Sequence, residues 1–434
     1  MRPAERVTRK GLGSVTWQVL PDCYVVSAAE RGIQQVRRNG EGLRITVHAA
    51  KTAFCLLFAL LCAGAGAMDD PLSTDHAAEK SVTFYHTYGY LKDRDWVIPM
   101  RLWVHEKPSP AQRGLAKVAR TVLGKRAGIA DLSQKQAELF LQRSGDFFAD
   151  NESGEAVRFS FDHDPEQQEF FLQNSDGETT TDLNGLLEGV IKLDRKTAER
   201  LIKAQRSHQG WLRFRAVSND HRGIGFVRLI SPAGHSVISD IDDTIKVTEI
   251  TAGEPTVLMN TFFRDFAAVS CMAEMYRGVG GDVAFHYVSG GPWQMYRPLD
   301  DFLFSDPIVF PLGSFHMKSL RTNVFEKGTY EDVWSIIASG SQQATLEQKL
   351  SQIGTIMNHF PGRSFVLIGD SGEKDPEVFK QIREDFPGQV REIMIRVVTN
   401  GQATGPGRLD NMMLIPSNGN AADSCADFAK AAAQ

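Results

Sequence analysis

Three aspartates stand within four positions of the segment SVISDIDDTIK, residues 236–246: Asp240, Asp242 and Asp243. The apolar residues before them are typical of a buried strand. Carboxylates repel one another and lose hydration when buried, so two of them tolerate one small volume only if a cation or a proton neutralises them. The pair Asp240 and Asp242 therefore predicts a metal ion at the end of this strand.

Other polar side chains end later apolar segments. Ser289 and Gly290 follow VAFHYV, and Asp370 ends SFVLIGD. Asp375 follows five positions after Asp370, and Lys349 opens the predicted helix before that strand. Polar groups at successive strand ends indicate one site that is built from several loops.

From residue 234 onward, short apolar segments alternate with segments of helical period. The expected strands cover residues 236–239, 283–288, 307–310, 364–369 and 392–398. Helical spacing is found in residues 259–276 and 347–360. This alternation predicts βαβ units and a parallel sheet that is buried on both faces. Ligands of such sheets bind outside the carboxyl ends of the strands, where the aspartates fall.

Four segments resemble the actin-patch-associated phosphatidate phosphatase family of the haloacid dehalogenase superfamily. They are ISDIDDTIK, which contains the superfamily motif D-x-D-x-T, VSGGPWQ, GSFHMKSLR and FPGRSFVLIGDSGEKDPEVF. D-x-D-x-T alone is a weak signal, whereas four motifs in the family order are a strong one. The resemblance implies an α/β fold, a haloacid dehalogenase-like Rossmannoid sheet with helices on both faces. We expect this catalytic domain over residues 233–404.

The resemblance implies a phosphomonoesterase that works through an aspartyl-phosphate intermediate. Asp240 would be the nucleophile. Asp242 would protonate the leaving alkoxide and later deprotonate the attacking water, for which a raised pKa is expected. Ser289 and Gly290 would donate hydrogen bonds to the transferring phosphoryl oxygens. Lys349 would hold the phosphoryl group and offset the negative charge.

The implied cofactor is Mg²⁺, which prefers oxygen ligands. Its ligands would be the carboxylates of Asp240 and Asp370 and the backbone carbonyl of Asp242. Asp375 would ligate through water or orient Lys349. Because a proline follows Asp375 at the start of a predicted helix, a purely capping role is the alternative.

Supporting roles are expected for three further residues. Thr244 would tie the catalytic loop together by hydrogen bonding, and Lys318 and Arg321 would contact substrate beyond the phosphoryl group. Lys318 and Lys327 also compete with Lys349 for the phosphate-holding role. Lys349 is preferred because its helix leads into the strand that carries the second metal-binding aspartate.

The implied substrate is phosphatidate, with diacylglycerol and phosphate as products. The chain between Thr244 and Ser289 is long enough for one helix and a loop, which leaves the crevice open to a bulky or membrane-bound substrate. A soluble phosphate ester is the alternative within the enzyme class, and a non-catalytic exported lipid-binding or adhesion module is the alternative outside it. Peripheral membrane contact would depend on local charge at Lys318 and Arg321.

Residues 80–232 predict a smaller β-rich, sandwich-like domain before the catalytic one. Residues expected in the core alternate with residues expected on the solvent side in three segments: Met100, Leu102 and Val104 against Arg101 and Trp103; Val157, Phe159 and Phe161; Leu212 and Phe214 against Arg213 and Arg215. Such alternation is typical of half-buried antiparallel strands. Between the strands, residues 110–148 have helical spacing, with Leu115, Val118 and Val122 on the expected apolar face. A flexible tail is expected over residues 405–434.

Residues 47–67 have the order of a secretory signal peptide: Lys51, an apolar run, and small residues that end in Ala65-x-Ala67. The apolar run, about 15 residues, is shorter than the roughly 20 that a spanning helix needs. An exported protein, periplasmic or secreted, is therefore predicted, with an uncleaved membrane anchor as the alternative.

Residues 1–46 precede this segment and show no apolar periodicity. They hold eight Arg and Lys and four Asp and Glu, a charge of +4, within a chain whose net charge is −5. We expect them to be a non-structural or mis-annotated extension, with translation starting near Val47. The acidic remainder gives no indication of nucleic-acid binding by bulk charge.

Overall fold

The computed structural model describes residues 80–279, 281–319, 342–398 and 407–416, together with four short strands nearer the N-terminus. Those strands form two antiparallel pairs within the unit Met1–Asp75: Arg6–Val7 (β1) with Val15–Thr16 (β2), and Gln34–Asn39 (β3) with Gly42–Val47 (β4). Paired strands are thus described where a non-structural extension was expected. Except for Val47, the predicted signal peptide lies outside the described residues and stays a prediction.

The second unit, His76–Gln434, contains two sheets. The strands of the first are Lys80–Phe84 (β5), Thr87–Lys92 (β6), Asp95–Glu106 (β7), Asp150–Asn151 (β8), Arg158–Phe161 (β9), Glu169–Phe171 (β10), Leu186–Asp194 (β11), Trp211–Ala216 (β12), His221–Arg222 (β13) and Ile224–Leu229 (β14). Their order is β10-β9-β12-β14-β6-β7-β5-β13, and β8 and β11 also pair with β7. Pairing is antiparallel except for β13 with β5 and β14 with β6.

The predicted alternation along these strands places one face in a core. Leu212 and Phe214 of β12 are buried, whereas Arg213 and Arg215, which alternate with them, are exposed. Phe84 of β5 packs against the Phe214 ring at 5.0 Å between centroids and against Phe159 of β9 at 5.7 Å. The two halves of the sheet therefore enclose a shared aromatic core.

Helices cover the other face of β7. They are Pro110–Arg126 (α1) and Gln134–Ser144 (α2), each begun by a serine capping box, and a 3₁₀ turn Gly145–Phe147 follows. Trp103 of β7, expected on the solvent side, is buried in this second core. The expected apolar face of α1 is wrong by about one position, because Ala116, Ala119 and Leu123 are buried whereas Val118 is 45 % exposed.

The second sheet is parallel throughout its described strands, as predicted. They are Ala233–Ser239 (β15), Ala284–Pro292 (β16), Gly313–Lys318 (β17), Gly362–Asp370 (β18), Val390–Arg396 (β19) and Met413–Ile415 (β20), in the order β17-β16-β15-β18-β19-β20. Among the described residues of the unit, the other helices are Arg195–Ala204 (α3), Glu254–Leu258 (α4), Met272–Gly278 (α5), Tyr296–Phe304 (α6), Gln342–His359 (α7) and Asp375–Asp385 (α8). The mixed α/β fold with a parallel sheet and helices is confirmed.

Both faces of this sheet are covered. Val237 of β15 belongs to the core that contains residues of α5 and α6, and its neighbour Ile238 belongs to the core that contains residues of α7 and α8. Since successive side chains of a strand point to opposite faces, the helices form a layer on each side.

Several sequence expectations for this sheet are wrong. Residues 307–310 form no strand, and the strand at this position is β17 instead. Residues 413–415, within the tail that was expected to be flexible, pair with β19. Residues 259–276 are not one helix: a π turn Met259–Phe263 continues α4, an irregular stretch follows, and α5 begins at Met272.

In the described part of the chain, no helix combines the length and the apolar character that crossing a membrane requires.

Candidate active site

The predicted polar residues meet at the carboxyl edge of three adjacent strands, β16, β15 and β18. Asp240 directly follows β15, Ser289 lies near the carboxyl end of β16, and Asp370 ends β18. All three are buried. Parallel strands bring their carboxyl ends to one edge, so residues 130 positions apart in the sequence share one small volume.

Hydrogen bonds fix both carboxylate oxygens of Asp240. Oδ1 accepts from Nζ of Lys349 at 2.8 Å, and Oδ2 accepts from Oγ1 of Thr244 at 2.8 Å. The backbone N–H of Asp240 donates to the carbonyl of Ile368 in β18 at 2.9 Å. Thr244 therefore has the loop-tying position that the sequence predicted, and Lys349 reaches the first aspartate.

Lys349 also donates to Oδ1 of Asp375 at 2.6 Å. The other oxygen of Asp375 accepts the N–H of Asp370 at 3.2 Å. Asp375 is the first residue of α8 and its carboxylate makes no cap of that helix, so the purely capping alternative is wrong. With both oxygens engaged, Asp375 is placed to orient Lys349 rather than to bind a metal ion directly.

Glu373 belongs to the site, although the sequence gave no prediction for it. Carboxylate oxygens of Asp240, Asp370 and Glu373 all lie within 4.8 Å of one another. Oδ1 of Asp370 accepts the N–H of Gly372 at 2.6 Å, whereas its buried Oδ2 has no hydrogen-bond partner among the described residues. An orphaned carboxylate oxygen facing two further carboxylates fits a hard divalent cation. The signal in the sequence was an extra acidic residue between the two aspartates of GDSGEKD.

The electrostatics indicate excess negative charge in this cluster. Burial raises the pKa of Asp240 and that of Asp370, in each case well above the usual range. Burial also raises the pKa of Glu373 to about 7, against the opposing effect of Lys349. Burial lowers the pKa of Lys349, but the carboxylates of Asp240 and Asp375 outweigh this and raise it overall. One ammonium does not compensate the surrounding carboxylates, and a divalent cation would.

Asp242 is held by a different cation. Its Oδ1 accepts from Nζ of Lys246 at 2.9 Å and from Oγ1 of Thr248 at 2.5 Å. Its Oδ2 lies 3.5 Å from Oγ of Ser289. Burial acts to raise the pKa of Asp242, but Lys246 and Thr248 outweigh it and the pKa is lowered. The expected raised pKa is therefore wrong for the free protein, because the sequence analysis gave Lys246 no role.

Ser289 lies beside Asp242, and Gly290 follows it in β16. Oγ of Ser289 accepts the N–H of Gly291 at 2.9 Å. A Cβ on Gly290 would lie 2.8 Å from Cγ2 of Thr345 in α7, so the close approach of this helix requires glycine.

The structure does not bring Lys318 to the carboxylates. Lys318 is half-buried at the end of β17, opposite Pro292 of β16, and burial lowers its pKa. Arg321 and Lys327 fall outside the described residues, and their predicted roles stay predictions.

Asp243 is buried rather than solvated and caps the following turn. Its carboxylate accepts the N–H groups of Thr248, Glu249 and Ile250 at 2.6–2.9 Å. It therefore shapes the loop through these three backbone hydrogen bonds.

Comparisons with known proteins point to one family. Residues 235–397 match the family model described as phosphatidate phosphatase APP1, catalytic domain. Phosphatidate phosphatase APP1 of Saccharomyces cerevisiae is 31 % identical over 188 residues, which cover 42 % of this chain and 29 % of that protein. An uncharacterized protein of Schizosaccharomyces pombe is 28 % identical over 179 residues, 40 % of this chain and 26 % of that protein. The chain thus spans less than a third of these curated relatives.

The comparison with solved structures gives no further information on the fold or the function. A β-glucuronidase of Ruminococcus gnavus matches with a TM-score of 0.22 at 11 % identity, over 74 % of this chain and 45 % of that one. A family two carbohydrate esterase of Cellvibrio japonicus matches with a TM-score of 0.21 at 10 % identity, over 82 % and 94 %. TM-scores at this level support no inference on fold or function.

The family match begins in β15 and ends just after β19, so it includes every carboxylate of the site and all described strands of the parallel sheet except β20. The resemblance that the sequence predicted is therefore confirmed over residues 235–397, which are similar to the catalytic domain of the APP1-like phosphatidate phosphatase family.

Proposed function

We propose that this chain is a Mg²⁺-dependent phosphatidate phosphatase that works through an aspartyl-phosphate on Asp240. The observation that carries the proposal is the buried contact of Lys349 with Asp240, beside carboxylates that lack a compensating cation. The parallel order of the sheet supports a haloacid dehalogenase-like Rossmannoid domain, with the β-rich region before it as a separate, sandwich-like layer.

The proposed reaction has two displacements at phosphorus. A carboxylate oxygen of Asp240 attacks the phosphoryl group, the bond to the alkoxide breaks, and the alkoxide takes a proton from Oδ2 of Asp242. Water then attacks the phosphorus of the aspartyl-phosphate, gives its proton to Asp242, and restores Asp240 with release of phosphate. Lys349 supplies fixed positive charge to the transferring group, and Ser289 and Gly290 are placed to donate hydrogen bonds to it.

A divalent cation would be held by Asp240, Asp370 and Glu373. When bound, it would neutralise charge on the phosphoryl oxygens and on these carboxylates. The all-oxygen donor set and the orphaned oxygen of Asp370 favour Mg²⁺ as the class of ion. Support for the proposed ligand set comes from Glu373, which takes the place that the sequence assigned to Asp375.

Asp242 must gain a proton before it can act as an acid. In the free protein Lys246 keeps its pKa low. A phosphate ester bound beside Asp242 adds negative charge and raises this pKa, so substrate binding itself would prepare the acid. The proposed catalytic cycle therefore starts with Asp242 as a carboxylate.

Phosphatidate is proposed as substrate because the matched relative bears that name. Release of diacylglycerol and peripheral contact with a membrane belong to the same proposal. Export to the periplasm or the medium is also proposed, on the sequence of residues 47–67 alone.

The test compares three esters: a generic aryl phosphate, phosphatidate in mixed micelles, and glycerol phosphate. We expect phosphate release to require Mg²⁺, to be lost in Asp240→Asn, and to favour phosphatidate over glycerol phosphate. Asp265→Asn, at a carboxylate that is 64 % exposed, is the matched control and should keep full activity. Unchanged activity in Asp240→Asn would refute the nucleophile, and preference for glycerol phosphate would replace the lipid by a soluble ester.

A further inference from the structure

Lys246 is a buried cation that contacts the proposed acid–base residue. Its side chain is 2 % exposed, and Nζ donates to Oδ1 of Asp242 and to Oγ1 of Thr248. The same Nζ lies 4.9 Å from the centre of the Phe266 ring. A buried ammonium group cannot be stabilised by water and needs partners within the protein. The carboxylate of Asp242 and the face of the Phe266 ring together therefore fix the position of Lys246.

Phe266 contacts a second buried cation. The guanidinium carbon of Arg143 lies 3.7 Å from the centre of the same ring. Arg143 also donates to the carbonyl of Thr261 in the π turn at 3.0 Å. It belongs to α2, in the region that precedes the family match, so a side chain from outside the matched residues is connected to Asp242 by three contacts, through Phe266 and Lys246.

The backbone holds Phe266 beside Lys246. The N–H of Val247 donates to the carbonyl of Ala267 at 2.8 Å, and the N–H of Val269 donates to the carbonyl of Ile245 at 2.9 Å. These bonds pair the segment after Asp242 with the irregular stretch that replaces the expected helix. The position of the ring is therefore set by local pairing as well as by Arg143.

We propose that Phe266 and Arg143 are positioning residues, which hold Lys246 on Oδ1 of Asp242 and so leave Oδ2 to face the substrate. Because Arg143 comes from α2, the β-rich region completes the active site of the catalytic domain. This inference rests on the proposed function only for the role of Asp242 as acid.

The first test uses the leaving group. A nitrophenolate leaves without protonation, whereas an alkoxide needs the acid, so mispositioning of Asp242 slows formation of the aspartyl-phosphate selectively for alkyl phosphates. Hydrolysis of that intermediate, in which Asp242 is the base, is common to both esters and does not enter kcat/KM. In the full chain, Phe266→Leu should lower kcat/KM for an alkyl phosphate about tenfold and kcat/KM for p-nitrophenyl phosphate by less than about twofold.

Phe302→Leu is the matched control. Phe302 packs edge-on against Phe266 at 5.4 Å, so this variant removes the same ring pair and leaves both cations over the ring of Phe266. In Phe302→Leu, the ratio of kcat/KM for the alkyl phosphate to that for p-nitrophenyl phosphate should not change. Arg143→Met should reproduce the selective loss, and Arg143→Lys, which keeps the charge, should restore part of it.

The second test needs no activity. Acetylation with acetic anhydride, read by mass spectrometry, should modify buried Lys246 much more slowly than exposed Lys192. Phe266→Leu should accelerate the modification of Lys246 several-fold, and Phe302→Leu should not. If the unaltered chain hydrolyses no ester, the proposed function fails, and this labelling still decides whether Phe266 holds Lys246.

Three results would overturn the inference. The first is an equal decrease in kcat/KM for the alkyl and the aryl phosphate in Phe266→Leu. The second is the same selective decrease for the alkyl phosphate in Phe302→Leu, and the third is a rate of Lys246 acetylation that is unchanged in Phe266→Leu. Thermal unfolding of each variant identifies any that does not fold, and Phe266→Leu remains decisive if Arg143→Met is one of these.

Discussion

Substitution of Glu373 by Gln should have opposite effects on the metal-free and the Mg²⁺-loaded protein. Burial raises the pKa of Glu373 from 4.5 to about 7. Below pH 4.5 this carboxyl is protonated in the folded and the unfolded chain, and it has no net effect on stability. As the pH rises to 7, the unfolded chain loses this proton before the folded one does, so the free energy of unfolding falls.

The magnitude follows from the size of that difference. Each pH unit between the two pKa values costs about 1.4 kcal/mol, which gives about 3 kcal/mol in full. A quarter of the Glu373 side chain is exposed, so solvent screening reduces the expected cost to about 1–2 kcal/mol. Gln cannot ionise and avoids this cost, but it also removes one charged ligand of the proposed metal site.

Urea unfolding at pH 5 and pH 8 provides the assay. In a chelator at pH 8, Glu373→Gln should be more stable than the unaltered chain by about 1–2 kcal/mol, and at pH 5 the difference should nearly vanish. Excess Mg²⁺ should stabilise the unaltered chain more than the variant. Glu347→Gln, at an exposed glutamate of α7, should change stability by less than about 0.5 kcal/mol under every condition. Equal stabilisation of Glu373→Gln at both pH values would refute the reasoning.

Three further substitutions test other parts of the site. Lys349→Met leaves buried carboxylates without their cation and should lower the free energy of unfolding by about 3–5 kcal/mol in urea, unless Mg²⁺ is added. Thr244→Val removes the donor to Oδ2 of Asp240 and should cost about 1–2 kcal/mol by the same assay; no loss would exclude a net contribution from that bond. Gly290→Ala should cost about 1–3 kcal/mol through contact with Thr345, and Thr345→Ser in the same chain should relieve most of it, whereas additive costs would contradict the contact.

The sequence was most informative where a polar residue directly follows an apolar strand. Asp240 directly follows β15, Asp370 ends β18, and Ser289 lies near the carboxyl end of β16. The geometry of a parallel sheet brings these strand ends together whatever the chain does between them. Lys349 also reached the site, because its helix leads into β18.

The choice between Asp375 and Glu373 could not be made from the sequence. It depends on the path of the four-residue turn between β18 and α8, which directs Asp375 to Lys349 and Glu373 towards Asp240. Local propensity does not specify such a path. Both residues are acidic, so their type alone does not separate them.

Long-range packing explains other failures. Trp103 is buried because α1 and α2 cover the outer face of β7, and alternation within one strand contains no information on what covers it. The helical spacing of residues 259–276 is real as a pattern, but pairing of this stretch with the segment after Asp242 overrides it. The region where the prediction failed is the one that carries Phe266.

The most direct measurement traps the phosphorylated enzyme. The full chain would be mixed with a phosphate monoester and Mg²⁺, quenched in acid within one turnover, and reduced with borohydride, which converts an aspartyl-phosphate to homoserine. We predict that mass spectrometry finds this change at Asp240 and that Asp240→Asn abolishes it. Phosphate release without any change at Asp240, or with the change at Asp242 instead, would contradict the account.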